Sequence, residues 1–104
     1  MELTADQRRH LRGLAHHLNP VVMIGNQGLT DAVLREIAVN LDAHELIKIR
    51  VLGDDRALRE EFLQTICREL GASAVQHIGK LLLIYRASDG DKPKISLPKA
   101  KKKG

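Results

Sequence analysis

Aromatic residues and cysteine are almost absent from this chain. Its 104 residues include no tryptophan, one phenylalanine and one tyrosine, so aromatics make up 2%. Proteins that bind single-stranded nucleic acid by stacking bases need several aromatic side chains, and extensive base stacking is therefore excluded. The one cysteine, Cys67, cannot form an internal disulfide bond. Its place on the apolar side of a predicted helix indicates a buried structural thiol.

Long apolar runs and a secretion signal are also missing. The longest stretch without Asp, Glu, Lys or Arg covers residues 13–30 and is interrupted by Pro20 and a glycine-containing loop. A membrane-spanning helix needs about 20 apolar residues. The first residues, MELT, lack the basic and apolar regions of a signal peptide. We therefore expect a soluble cytoplasmic protein with one hydrophobic core, which is what a chain of this length accommodates.

No pattern typical of a catalytic or metal site is visible. His16 and His17 are adjacent, so they project from different sides of a helix, and no cysteine or carboxylate stands at ligand spacing from them. No nucleophile has a base in a recognisable arrangement. We expect neither an enzyme nor a bound cofactor or metal.

Positive charge is unevenly distributed along the chain. The formal net charge is +4, yet residues 92–103 alone carry six lysines and no acidic residue. Residues 7–30 contain three arginines, three histidines and no acidic residue, which favours an anionic partner such as nucleic acid. The segment 89–104 lacks hydrophobic periodicity and predicts a disordered, lysine-rich tail. Such a tail either attracts polyanions or only keeps the protein soluble.

Apolar spacing divides residues 1–88 into seven predicted elements. Thr4 and Gln7 form a capping-box pattern, Thr30 is a second N-cap, and Gly71 ends the last helix. The predicted helices cover residues 5–18, 31 to about 42, and the stretch between Asp55 and Gly71. The predicted strands cover residues 21–24, 45–52, 73–78 and 81–87. This order, αβαβαββ, predicts an α/β domain of two layers with a mixed four-stranded sheet.

A glycine-containing loop, Gly25-Asn26-Gln27-Gly28, joins the first strand to the second helix. Glycine permits positive φ and leaves backbone N–H groups open to an anion, and the positive end of the helix dipole lies at the same place. A loop of this kind clamps the nucleic-acid backbone in one class of RNA-binding module. The alternative is a tight turn without a ligand, because a G-x-x-G pattern alone is common. Asp31 would oppose a phosphate, and we assume that it points away.

Four basic residues of the first helix fall within an arc of about 100°. They are Arg8, Arg9, Arg12 and His16. We predict that this arc forms a phosphate-binding surface together with the loop, because no acidic residue is available nearby for pairing and arginine matches phosphate geometry. The alternative is an ordinary solvated helix face.

The second strand adds Lys48 and Arg50, which alternate with apolar neighbours and so share one face. Together with Lys80 and Arg86 they could form a basic sheet face. They could equally protect strand edges from pairing with other chains. We assign them a supporting role in RNA binding at most.

Three segments resemble the CRM domain family, in particular its small stand-alone bacterial members of the YhbY type. They are VVMIGNQGLT at 21–30, HELIKIRV at 44–51 and HIGKLLLIYR at 77–86. The resemblance implies a fold similar to the C-terminal domain of a bacterial translation initiation factor, with a KH-like GxxG loop. It also implies RNA binding through that loop and adjoining basic surfaces. Where family members often have basic residues in the loop, this chain has Asn26 and Gln27, which shifts weight to backbone N–H groups and neighbouring arginines.

The resemblance further implies association with precursors of the large ribosomal subunit. We therefore expect a monomeric factor that binds ribosomal RNA, assists ribosome assembly and does not contact membranes. Two alternatives remain at this stage. One is a general nucleic-acid binder that accepts DNA as well as RNA, and the other is a protein-interaction scaffold that uses Leu81, Leu83 or other residues of the sheet.

Overall fold

The computed structural model of this chain describes residues 2–88 and 95–98. The elements follow the predicted αβαβαββ order, which is confirmed. They are α1 (Ala5–Ala15), β1 (Val22–Ile24), α2 (Asp31–His44), β2 (Leu46–Val51), α3 (Arg56–Leu70), β3 (Ser73–Ile78) and β4 (Leu81–Tyr85). Helix α1 ends three residues before its predicted limit, because the chain turns at His16 and His17.

Local side-chain hydrogen bonds set the helix ends. The Thr4 hydroxyl accepts from the backbone N of Gln7 at 3.1 Å, and the Gln7 side chain accepts from the backbone N of Thr4 at 3.0 Å. Thr30 and Asp55 cap α2 and α3 through their side chains, which accept from the backbone N of Val33 and of Leu58. Helix α3 ends at Gly71, whose φ of 64° is a left-handed conformation that favours glycine. The predicted caps are therefore confirmed.

The sheet is mixed, with strand order β1-β2-β4-β3. Strand β1 pairs with β2 in parallel, and α2 forms the connection between them, while β4 pairs antiparallel with β2 and β3. Gly79 and Lys80 make the tight turn of the predicted β3–β4 hairpin. The β3–β4 register shifts between Ala74 and Gln76, which marks a β-bulge.

Helices α2 and α3 pack on one face of the sheet and form the first core. Its buried residues come from both helices and from β1, β2 and β4: Val22, Ile24, Ile37, Leu41, Ile47, Ile49, Val51, Leu63, Ile66, Leu82 and Ile84. Cys67 packs against this core. Burial, with a smaller effect of the Glu60 charge, raises the pKa of the Cys67 thiol to about 11, as expected for a structural thiol.

Helix α1 packs on the opposite face and forms the second core. Leu11 and Ala15 lie there against Leu46, Leu83 and Tyr85. The domain therefore has three layers, whereas the sequence predicts two. The difference arises because α1 precedes β1 and takes no part in the β1–α2–β2 connection, so it is free to cover the other face.

Four residues of the predicted tail, 95–98, lie against the domain, and we call them the C-terminal strap. Ile95 and Leu97 pack on the second core. The Gln7 side-chain amide donates to the Pro98 carbonyl at 2.9 Å. The strap differs from the prediction of a tail that is disordered throughout, because its two apolar residues find a partner surface on α1 and the sheet. The rest of the predicted tail, 89–94 and 99–104, lies outside the described residues.

Glu45 holds the chain on both sides of the undescribed segment 89–94. Its side chain is buried, and its two carboxylate oxygens accept from the backbone N of Ser88 at 2.6 Å and of Ile95 at 2.8 Å. Glu45 adopts a φ of 66° directly after α2. One charged residue thus fixes the end of α2, the end of the hairpin and the start of the strap.

Arg86 lies between the C-terminal parts of α2 and α3 rather than on a basic sheet face. Its guanidinium donates to the Leu70 carbonyl at 2.8 Å, to the Ala38 carbonyl at 3.4 Å and to the Asp42 carboxylate at 2.6 Å. Carbonyls at helix C-termini carry partial negative charge, which a cation stabilises. The position of Arg86 is therefore structural.

Candidate nucleic-acid interface

The sheet face under α1 is only partly covered. Strand register places Met23, Arg50, Leu81 and Ile78 side by side across all four strands, and residues opposite one another in a sheet share a face. Met23 is 56% exposed and Ile78 is 53% exposed. We call this row the open sheet face.

A groove of about 170 Å³ lies between α1 and the open sheet face, and we call it the α1 groove. Its lining comes from α1 and the turn that ends it, from β2 and from the β3–β4 hairpin: Arg12, Ala15, His16, Lys48, Gln76, Ile78, Leu81 and Leu83. The aliphatic residues of this set form an apolar floor, and the three basic residues form its rim. None of the described residues that line the groove is acidic.

Three predicted site residues, Arg12, His16 and Lys48, are therefore brought together. The Lys48 ammonium donates to the Leu18 carbonyl at 2.9 Å, so it ties β2 to the chain just beyond α1 and retains two further N–H donors. Arg50 lies two residues along β2, on the same face and exposed to solvent. In the described part of the chain, no carboxylate pairs with Arg12 or Arg50.

Two predicted arginines are placed differently. The Arg9 guanidinium lies 3.6 Å from the Asp6 carboxylate, so the premise that no acidic residue is near these arginines is wrong for Arg9. Asp6 stands three residues earlier, on the same side of the helix. The Arg8 Nε donates to the Ala74 carbonyl at 3.3 Å and links α1 to β3. Arg8 thus lies at the margin of the groove and is partly engaged in the fold.

The GNQG loop follows β1 directly, next to the paired residues Met23 and Arg50. A turn closes it, in which the Gly28 N donates to the Gly25 carbonyl at 3.0 Å. Asn26 and Gln27 are exposed at its tip, and within residues 2–88 and 95–98 their backbone N–H groups have no hydrogen-bond acceptor. The loop and Arg50 consequently lie at the same end of the sheet as Leu81 and Ile78 of the α1 groove.

The two glycines of the loop differ in backbone conformation and in the space around them. Gly28 has a φ of 73°, and a Cβ built on it would lie 3.5 Å from the Phe62 ring. Gly25 lacks a positive φ, and nothing lies within 4 Å of a Cβ built there. The turn conformation therefore requires glycine at 28 but not at 25.

Comparison with known proteins identifies the family. A family model for the CRS1/YhbY (CRM) domain matches residues 3–86. The chain belongs to the CRM domain family. This confirms the resemblance seen in the three sequence segments.

Two relatives and one solved structure match this CRM domain along almost their whole length. It is 50% identical to an RNA-binding protein of Haemophilus influenzae, over 93% of this chain and 96% of that protein. It is 35% identical to a probable RNA-binding protein of Bacillus subtilis, over 92% of this chain and 99% of that protein. The solution structure of the hypothetical protein SAV1595 from Staphylococcus aureus, a candidate RNA-binding protein, matches with a TM-score of 0.80 at 36% identity. That match covers 93% of this chain and all of the other.

The remaining basic sheet residues of this CRM domain do not join the groove. Lys80 lies in the hairpin turn, with its ammonium 3.3 Å from the Asp54 carboxylate, and Arg86 is held between α2 and α3. Leu83, one of the sheet residues that the scaffold alternative could use at a protein surface, is 3% exposed beneath α1. Only Lys48 and Arg50 of the predicted basic sheet face share that face.

A polar cluster on the opposite side of β3 joins this strand to α3. The Arg59 Nε lies 3.3 Å from His77 Nε2, which must therefore accept, and His77 Nδ1 lies 2.8 Å from the Glu60 carboxylate. His77 Nδ1 thus donates to the Glu60 carboxylate. This hydrogen bond is the main cause of a lowered pKa of Glu60.

Sequence reasoning missed Gln76, Ile78 and Met23 as members of this surface. The strand register aligns these residues with Lys48 and Arg50, and this alignment is the signal that identifies them.

Among the described residues, no three side chains of the His, Cys, Asp and Glu types are grouped as for a metal ion. None of the helices in that part of the CRM domain has the length and apolar character needed to span a bilayer.

Proposed function

We propose that this chain binds RNA through the α1 groove, Arg50 and the GNQG loop. The observation that carries the proposal is the convergence of Arg12 from α1 and His16 from the turn that ends α1 with Lys48 from β2 on one groove whose lining includes no acidic residue. Lys48 lies more than 30 positions after Arg12 and His16 in the sequence, so the fold brings it to them. Relatives that bear the name of RNA-binding proteins support the same ligand class.

Arginine and lysine contacts to phosphate release counterions from the nucleic acid, so affinity falls as salt rises. Arg12 and Arg50 are the residues best suited to this role, because neither is paired with a carboxylate among the described side chains. The loop adds the unbonded N–H groups of Asn26 and Gln27. Arg8 contributes at the margin, and Arg9 falls outside the proposed site because it pairs with Asp6.

We further propose that the RNA is ribosomal and belongs to precursors of the large subunit in the cytoplasm. The protein then acts as a monomeric assembly factor without catalytic activity. This part of the proposal is supported by the YhbY-type resemblance of the three segments around residues 21–30, 44–51 and 77–86.

The contact surface is tested with two double variants that lose the same charge. Arg12→Ala with Arg50→Ala removes two proposed contacts, whereas Arg9→Ala with Arg68→Ala removes two exposed arginines elsewhere. Binding to a structured fragment of large-subunit ribosomal RNA is measured over a salt series. We expect the first pair to weaken binding about tenfold or more and to reduce the salt slope by about one for each lost contact. Equal effects of both pairs would overturn this site, and a parent protein that binds no RNA at low salt would overturn the function.

The ribosomal part of the proposal is tested in cell lysate. The tagged parent should sediment with large-subunit precursors, and the Arg12→Ala, Arg50→Ala variant should remain near the top of the gradient. If the parent binds duplex DNA as tightly as RNA and stays free of precursors, the general nucleic-acid binder is correct. If it retains its partners after RNase digestion, the scaffold alternative is correct.

A further inference from the structure

The α1 groove contains more than phosphate binding requires. Its rim is basic, but its floor consists of Ile78, Leu81 and Leu83, and the Gln76 amide opens into it. An apolar floor disfavours a charged phosphate, which loses water there without gaining a partner. We propose that the groove holds one unpaired nucleobase, with one face of the base against Ile78 and Leu81 and its edge hydrogen-bonded by Gln76. This inference rests on the proposed RNA-binding function and specifies the kind of RNA.

The β3 bulge is what brings Gln76 into the groove. Ala74 is paired with Ile84 and packs with it against the first core, and a regular strand would return Gln76 to that same face. The register shift instead pairs Gln76 with Leu83, on the face of α1, while Val75 fills the second core. Bulges re-aim side chains in this way and are frequent next to functional sites.

Gln76 has hydrogen-bonding groups to offer. Its side chain is partly exposed and forms no hydrogen bond with any residue in the described ranges. A glutamine amide presents an N–H donor and a carbonyl acceptor side by side, which matches the donor and acceptor pattern of a base edge. Single-stranded bases in RNA are commonly recognised at such edges.

The dimensions of the groove fit one base rather than a run of bases. Its volume of about 170 Å³ is below the roughly 300–1,000 Å³ of pockets that enclose a drug-sized ligand. Aliphatic contact with a single base also agrees with the scarcity of aromatic residues, which excludes only repeated stacking. The exposed Met23 and Arg50 continue the row beyond Leu81, where they can contact the neighbouring nucleotide.

Three RNAs of equal length test the inference: a perfect duplex, the same duplex with one bulged nucleotide, and the bulged duplex with an abasic site in place of that nucleotide. The parent should bind the bulged RNA about tenfold more tightly than the other two, which is the scale of one good base contact. Gln76→Leu and Ile78→Ser should lose this preference and keep the parent's salt slope. Gln64→Leu, an exposed glutamine on α3, is the matched control and should behave as the parent.

The outcomes separate this inference from the proposed function. If the parent binds all three RNAs equally, the base site is wrong while RNA binding stands. If it binds none of them at low salt, the proposed function itself is wrong. Unfolding midpoints of the variants should equal that of the parent, because Ile78 is largely exposed and Gln76 partly so. A preference for the bulged RNA that survives both substitutions would also overturn the site.

Discussion

The two faces of the sheet are packed to different degrees. On the first face, two helices enclose Ile24, Ile49 and Ile84, which have no exposed surface. On the second face, one helix and the C-terminal strap cover part of the strands and leave Met23 and Ile78 more than half exposed. Alternation along β2 assigns each residue to one face, so the same strand supplies core residues to one side and Lys48 and Arg50 to the other.

Because its two faces differ, one small sheet can hold a core on one side and a ligand site on the other. A second helix over the open face would bury more apolar area, but it would close the α1 groove. The first face therefore holds the larger buried core, and the second face offers room for a ligand. Substitutions on the two faces should consequently affect different measurements.

The largest effect on stability is expected in the first core. Ile49→Ala removes a fully buried side chain from the central strand and should lower the free energy of unfolding by about 2–5 kcal/mol. Ile78→Ala, the matched change on the open face, should alter it by less than about 0.5 kcal/mol. Urea unfolding followed by circular dichroism measures both. A similar cost at the two positions would mean that the faces are equally part of the core.

The second face should depend on Glu45 and the strap. Glu45→Ala leaves the N–H groups of Ser88 and Ile95 without their acceptor and should cost about 2 kcal/mol or more in unfolding free energy. The Cβ is retained, so the positive φ of residue 45 is no more strained than before. In a chain that ends at Ser88 the same substitution should cost less, because the bond to Ile95 is already gone. Equal costs in the two chains would show that Glu45 does not act through the strap.

The loop glycines should separate stability from binding. Gly28→Ala places a side chain in a left-handed conformation and should cost about 1–2 kcal/mol. Gly25→Ala should leave unfolding unchanged, since its Cβ meets nothing within 4 Å. If RNA phosphate approaches the loop backbone, Gly25→Ala nevertheless weakens RNA binding. Unchanged affinity of this variant would remove the loop from the proposed surface.

The smallest effect concerns the hydrogen bond between His77 and Glu60. Because the folded state lowers the pKa of Glu60 from its usual 4.5, its stabilising contribution is present above pH 4.5 and is lost as the pH falls through the folded value. The difference in unfolding free energy between parent and Glu60→Gln should therefore shrink on acidification below about pH 4.5. Urea titrations at several pH values measure it, and a difference that grows on acidification would contradict the assignment.

Local signals explain which parts of the fold were predictable. The caps at Thr4 and Thr30 and the hairpin turn at Gly79 and Lys80 depend on neighbouring residues, and their positions agree with the structure. The third layer was not predictable, because α1 lacks a local feature that selects its face. The strap was missed because Ile95 depends on Glu45, which is 50 residues away.

In the candidate site too, local sequence signals indicated some residues, whereas others depend on contacts that only the fold creates. Residue type and spacing indicated Arg12, His16, Lys48 and Arg50, and the fold brings the first three to one groove with Arg50 beside it. The Asp6–Arg9 pair was overlooked because Asp6 lies just before the acid-free segment. Gln76 was not predictable, since strict alternation along β3 assigns it to the opposite face and only the bulge reverses this.

Arg86 also has a consequence for motion. Its guanidinium donates hydrogen bonds to the last residue of α3 and to the C-terminal half of α2. If the end of either helix frays, the guanidinium that also holds the other helix loses part of its hydrogen bonding. These ends should open together with the end of β4 as one cooperative unit in native-state hydrogen exchange. A single arginine that directly follows β4 thereby couples the opening of two helix ends.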